Sequence, residues 1–309
     1  MAQTTGTSVF TQDVNDLIEE AFERCGLELR TGYDFRTARR SLNIMTIEWA
    51  NRGINLWTVE QGQIVMATGQ AMYPLPVDTI DLMDQVVRQN NGTTNQVDIN
   101  ITRIAEPTYI TIPNKLTQGR PIQVWINRQS GQENASTATL SGNISATDTT
   151  ITLSSTAGLA TSGFIKIDNE TISYPNVTGN QLLNCARGQN GTTAAAHTSG
   201  AALTIQNLPC INVWPTPNAP GNQYTFVYYR LRRIQDAGTG ANVQDIPFRF
   251  IPCMVAGLAY HLSMKLAGVD PSRVMALKAD YEELFQQAAD EDRDKAPLRF
   301  VPRNMNYVR

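Results

Sequence analysis

Residues 245–289, DIPFRFIPCMVAGLAYHLSMKLAGVDPSRVMALKADYEELFQQAA, decide the fold. They read as two helices joined by a tight turn. The first, from residue 248 or 252 to 266, is apolar on almost every face: Phe250, Ile251, Met254, Val255, Leu258, Ala259, Leu262 and Leu266. Gly268 stops it, Asp270 is placed to cap the next helix, and Pro271 sits at that helix's first position. In the second helix Val274, Leu277, Tyr281, Leu284, Phe285 and Ala288 recur at three- and four-residue spacing, one inward stripe. Lys278, Asp280, Glu282, Glu283 and Gln287 lie on its other face. A helix apolar all round is buried on all sides, so the rest of the chain, or a neighbouring copy, is expected to cover the first one.

The other end of the chain offers that cover. Val14, Leu17, Ile18, Ala21, Phe22 and Cys25 form an amphipathic stripe, with Thr11 as cap and Gly26 as stop. A second helix is expected over residues 35–51, with Phe35, Ala38, Leu42, Met45 and Trp49 inward and Gly53 closing it. Arg36, Arg39 and Arg40 lie off that stripe. A helical bundle is therefore expected from residues 1–56 plus 245–296.

From residue 57 the apolar period changes to two. Residues 58–65 alternate, Gly69-Gln70 begins a turn, and Tyr73-Pro74-Leu75-Pro76 is extended because each proline restricts its predecessor. Residues 82–88 and 97–104 read as strands about the turn Asn90-Asn91-Gly92. Residues 122–126, 211–215 and 224–231 continue the pattern. A small antiparallel sheet domain is expected over 57–135 plus 208–244, and the fold class is α+β.

Residues 136–207 differ in composition. Only Asp148, Lys166, Asp168, Glu170 and Arg187 carry full charge there, among many Thr, Ser, Ala, Gly and Asn. Alternating runs at 149–153, 164–168, 170–174 and 201–205 are split by Gly158, Gly163, Thr178-Gly179 and Gly188. Regular alternation of Ile, Leu, Phe and Tyr is not what a disordered tract shows. An all-β module is expected, inserted between a strand ending near Arg128 and one starting near Ile211 that would otherwise be neighbours.

The whole chain of 309 residues is long enough for two domains, and its net charge of −3 gives no basic field to attract nucleic acid. Cys25, Cys185, Cys210 and Cys253 have no short spacing and read as buried free thiols of a reducing compartment. The start MAQTTGTSVF has neither the basic nor the apolar region of a signal peptide. The apolar run 250–264 is too short to span a bilayer. A soluble protein made in the cytoplasm, with no membrane partner, is expected.

The catalytic inventory is poor. Of two histidines, His261 falls in the buried helix as a satisfied core residue, and His197 has no carboxylate or cysteine near it in sequence. No pair has metal-ligand spacing. Gly238-Thr239-Gly240 lacks the third glycine and helix start of a dinucleotide loop, and there is neither a Walker sequence nor a Gly-x-Ser-x-Gly. Asp290-Glu291-Asp292-Arg293-Asp294 reads as the solvated end of a helix rather than a cation site. Three basic clusters, Arg36/Arg39/Arg40, Arg230/Arg232/Arg233 and Arg299/Arg303/Arg309, offer phosphate contacts. Pairing with the acidic helix faces of neighbouring subunits is the preferred reading for them. No helix combines base-reading side chains with phosphate contacts, as sequence-specific DNA readout needs.

The order of these pieces resembles the head-to-tail adaptor proteins of short-tailed bacteriophages, called tail tubular protein A or packaged-DNA stabilisation proteins. The similar residues are 42–49, Tyr73-Pro74-Leu75-Pro76, Val213-Trp214-Pro215-Thr216-Pro217, 226–229, the Ala-rich run 255–266 and 281–285. The insert resembles a β module of phage tail and baseplate proteins through Ser155-Thr156-Ala157-Gly158, Ser162-Gly163, Ile167-Asp168-Asn169-Glu170, Tyr174, Cys185-Ala186-Arg187-Gly188, and Gly191-Thr192 through His197. The resemblance implies a structural virion protein of the neck, with no enzyme activity and no cofactor. It implies a twelve-fold ring under the portal protein, which carries the tail nozzle protein and continues the DNA channel.

On that reading the segment 297–309 is the portal-docking element. Pro297 and Pro302 keep it out of helix. Leu298, Phe300 and Pro302 alternate with Arg299, Val301 and Arg303, and Met305, Tyr307 and Val308 add anchors. Such a segment suits strand addition or groove binding. Genomic DNA would meet the arginines weakly, and the insert would face tail fibres or spikes. The alternatives are another tail component, either a tail-tube or a fibre-like carbohydrate-binding protein, and a polysaccharide-cleaving enzyme. The enzyme would need paired carboxylates, and Asp168 and Glu170 are expected to share a strand face rather than flank a cleft.

Overall fold

A computed structural model describes residues 6, 10, 12–29, 31–54, 56–219 and 223–293. The chain begins with α1 (Val14–Cys25) and α2 (Gly32–Asn51). Then come β1 (Val59–Val65), β2 (Met72–Pro74), β3 (Thr79–Gln89), β4 (Val97–Asn100), β5 (Thr102–Arg103) and a short α3 (Glu106–Ile110). The next strands are β6 (Gln118–Gly119), β7 (Gln123–Asn127), β8 (Glu133–Thr139), β9 (Ile151–Thr152), β10 (Gly163–Ile167), β11 (Glu170–Tyr174) and β12 (Asn176–Thr178). After these follow β13 (Gln181–Leu183), β14 (Ala186–Gln189), β15 (Ala202–Gln206), β16 (Cys210–Trp214), β17 (Thr216–Pro217) and β18 (Tyr224–Arg232). The described chain ends with α4 (Ile251–Ser263) and α5 (Pro271–Glu291). The protein is α+β, with two compact units: one from the two chain ends, up to Trp57 and from Ile234, and one from Thr58 to Arg233.

The first unit is a helical bundle whose starts are written in its caps. Asp13 and Thr31 cap α1 and α2, each in a capping box closed by Asp16 and Asp34. The cap of α1 is thus Asp13 rather than Thr11, and α2 starts at Gly32 rather than at residue 35. Asp270 caps α5 ahead of Pro271, as expected. α4 is the centre, and α1, α2 and α5 all pack on it. One buried cluster joins Leu17, Leu42, Trp49, Met254, Leu258 and Tyr281 from all four helices. Each such large side chain contributes roughly 1.5–3 kcal/mol when taken out of water. The cover for α4 therefore comes from its own chain, and its apolarity does not call for a neighbouring copy. At the crossing sits Gly257, where a Cβ would lie 2.6 Å from Met45 Sδ and 2.7 Å from the Tyr281 ring. The Trp49 indole N–H donates to the Tyr281 hydroxyl at 3.1 Å, tying α2 to α5.

The central part of the second unit holds two four-stranded sheets instead of the single sheet expected. One runs β1-β18-β3-β4, all antiparallel. The other runs β2-β16-β7-β5, with β5 parallel to β7. The run 97–104 is the cause. It breaks after Asn100, leaves β4 in the first sheet and sends β5 to the second, with Ile101 buried between them. Leu82, Phe226 and Tyr228 of one sheet share a core with Val124, Ile211 and Val213 of the other.

β7 and β16 are adjacent and antiparallel, with Asn127 opposite Cys210. The residues between them build a five-stranded sheet, β14-β11-β10-β15-β8, and a three-stranded one, β12-β13-β9. These enclose a core of their own, including Ile165, Ile167, Ile172, Leu182 and Leu203. The first of these strands begins at Glu133, a little ahead of residue 136.

Candidate functional site

Arginines singled out by sequence fall into two kinds. Arg230 is 9% exposed. Its guanidinium donates to Asp78 at 2.5 Å, to Thr79 at 3.1 Å and to Glu60 at 2.8 Å, and Arg232 Nε donates to Glu60 at 2.6 Å. Burial disfavours the Arg230 charge, but Asp78 and Glu60 outweigh it and hold the group protonated. Asp78 and Glu60, the carboxylates that meet Arg230, belong to the same unit. Arg233 is exposed and reaches the Ser130 carbonyl at 3.2 Å.

Arg39 is half-buried and donates to the Gly238 carbonyl at 2.9 Å. Arg36 and Arg40 are exposed, with no ion-pair partner among the described residues. They share the outward face of α2 with Tyr33, Ile44 and Ile47, and the two isoleucines are 55% and 62% exposed. α5 likewise turns Met275 outward, 73% exposed, beside Glu282 and Glu283. The sequence reading missed both isoleucines. Their signal was available: they sit opposite Leu42 and Met45, where an ordinary surface helix is polar.

The insert carries a polar knot. Glu170, 1% exposed, opens β11 and accepts from Arg187 Nε and Nη2, both at 2.8 Å. It also accepts from the backbone N–H groups of Gly188 at 2.9 Å and Ala195 at 3.0 Å. His197 places Nε2 2.8 Å from Glu170 Oε2 and Nδ1 2.7 Å from Asp168 Oδ2. Burial would raise the Glu170 carboxyl, but Arg187, Ala195 N–H, His197 and Gly188 N–H together hold it down to about 2. His197 has no carboxylate near it in sequence, and the fold brings it two from the β10–β11 hairpin. One expectation fails here. Asp168 and Glu170 do not share a strand face, because Asp168 has φ +50° in the turn between the strands. The knot staples the loop 187–197 to the hairpin.

His261 is half-buried, with Nε2 3.6 Å from Glu48 Oε2 and no hydrogen bond to that nitrogen. It is not the satisfied core histidine expected, and burial lowers its pKa. All four cysteines are buried free thiols, and burial pushes Cys185, Cys210 and Cys253 up to about 12. Among the described residues no cluster of His, Cys, Asp or Glu suits a metal ion, and no helix is long and apolar enough to cross a membrane. A cleft of about 670 Å³ in the second unit has Tyr109 and Trp125 in its wall. Those rings stack on each other, 5.2 Å between centroids. Leu298, Phe300, Val301, Arg303, Met305 and Tyr307 lie outside the described residues.

What remains is a bundle with exposed helix faces, a sheet pair in which Arg230 and Arg232 meet carboxylates, and a β insert with a buried core. A comparison with curated proteins returns no match. Residues 119–303, well over half of the chain, match the family model described as SU10 adaptor protein. The chain therefore belongs to the SU10 adaptor protein family, structural adaptors of bacteriophages that sit in the virion and contact its other components.

Proposed function

We propose that this adaptor is a ring-forming head-to-tail connector that joins the portal to the tail nozzle and continues the DNA channel. Membership of a phage adaptor family carries the reading. Copies would associate head to tail around a closed ring, twelve-fold as the resemblance implies. The extended segment 297–309 would dock on the portal through Leu298, Phe300, Val301, Arg303, Met305 and Tyr307. The insert, residues 136–207, would project from the ring toward neighbouring copies, the nozzle, or fibres and spikes. DNA would be met weakly and without sequence preference, with Arg36 and Arg40 open to phosphate, whereas Arg230 and Arg232 are held by Asp78 and Glu60.

Mixing the purified chain with portal rings and weighing the product by light scattering tests the reading. A complex of one portal ring with a full ring of this chain is expected. A chain that never binds portal, at any concentration, would exclude it.

A further inference from the structure

We infer that copies of this chain join through α2 of one and α5 of the next, with the two outward helix faces lying antiparallel. This rests on the ring-forming reading and names the surface that reading requires.

α2 buries Ala38, Leu42, Met45 and Trp49. On a helix of 3.6 residues per turn, Tyr33, Arg36, Arg40, Ile44 and Ile47 fall in one stripe on the opposite side. α5 buries Leu277, Tyr281 and Ala288. Opposite them run Met275, Ala279, Glu282, Glu283 and Gln286. Along the chain the α2 stripe passes from cationic to apolar, whereas the α5 stripe passes from apolar to acidic. Antiparallel alignment with Ile47 against Met275 sets Ile44 against Ala279, Arg40 against Glu282 and Glu283, and Arg36 against Gln286, within a long side chain's reach of Glu283. Parallel alignment would press the isoleucines onto the acids.

The two helices have 20 and 21 residues, so each spans about 30 Å. Arg36, Arg40 and Glu282 have no hydrogen-bond or ion-pair partner among the described residues, so these charges are available to another chain. Ala279 is small enough for close approach of a second helix. A twofold pairing of α2 with α2 would put Arg36 on Ile47 and Arg40 on Ile44. Pairing α5 with α5 would put acids on Met275 and Ala279. Only the unlike pair matches both charge and apolar surface, and an unlike pair repeats head to tail, which closes rings.

The test is a charge swap read by light scattering over a range of chain concentrations. Arg36→Glu with Arg40→Glu, and Glu282→Arg with Glu283→Arg, should each weaken self-association at least tenfold. All four changes in one chain should restore it to within about threefold of the wild type. The four side chains are exposed, and circular dichroism checks that the bundle persists. Independently, Ile47→Cys combined with Met275→Cys should give an oxidative ladder of linked chains, because the native cysteines are buried. A wild type that assembles, with swaps that change nothing and no ladder, overturns this interface and leaves the ring reading standing. A wild type that stays monomeric throughout, both alone and on portal rings, overturns both.

Discussion

Glu170 is a carboxylate almost wholly out of water, and its cost is offset by a guanidinium, an imidazole and two backbone N–H groups. Its folded pKa, about 2, lies below its ordinary 4.5. The group therefore contributes stability above about pH 4.5 and loses it as pH falls from there toward 2, a difference of about 3 kcal/mol. Urea melts at pH 7, 4 and 3 should show the wild type converging on Glu170→Gln as acid removes that contribution. A gap that stays constant over that window would sink the assignment. Gly257 makes a second case. Alanine there would gain about 1 kcal/mol in helix propensity but would press on Met45 and Tyr281, both in the bundle core. Overpacking of 1–3 kcal/mol outweighs the gain, so Gly257→Ala should lower the bundle's melting temperature, and a raised one would refute the close packing. Asp168, Glu170, Arg187 and His197 were each visible in the sequence as isolated letters. Their convergence was not, because a positive-φ turn and a loop 29 residues on bring them together.

Helices were the most legible elements, since a 3.6-residue stripe and its caps are local signals. α5 starts where Asp270 and Pro271 place it, whereas α4 ends at Ser263, short of the expected 266 and of Gly268. Strand positions were also legible, but not the choice of sheet, because pairing is decided by residues far away. Nothing local at Asn100 and Ile101 announces that β4 and β5 go to different sheets. The insert is a question at this scale too. The backbone closes at its base, Gly131 N–H to the Asn207 carbonyl at 2.8 Å and Asn207 N–H to the Gln132 carbonyl at 2.9 Å. A short Gly/Ser linker replacing residues 133–206 should therefore keep β7 beside β16 and leave the bundle's unfolding unchanged. The expected loss is confined to the small cluster where Phe164 packs on Met72, Leu208 and Cys210, a few kcal/mol at most. Unfolding of the helices in that variant would show that the insert is not autonomous.

For the whole molecule, the proposed function separates surfaces that grip from a surface that must let DNA slide. A slightly acidic chain suits sliding. Filter binding to duplex DNA should be weak, indifferent to sequence and steeply lost with salt. Sequence-selective, salt-insensitive binding would contradict a conduit. The proposed gripping surface toward the portal is the segment 297–309. In α5 the buried stripe ends at Ala288, and just past the helix Asp292 accepts the Leu56 backbone N–H at 3.2 Å. A chain ending at Lys295 keeps both, so its melt should match the full chain's. What it loses is the apolar Leu298, Phe300 and Met305 together with Tyr307 and Arg303, the last two of the kind that dominate interfaces. Titration against portal rings should then show affinity down by tenfold or more, with self-association unchanged. Unaltered portal affinity of that truncated, folded chain would move the docking surface onto the bundle itself.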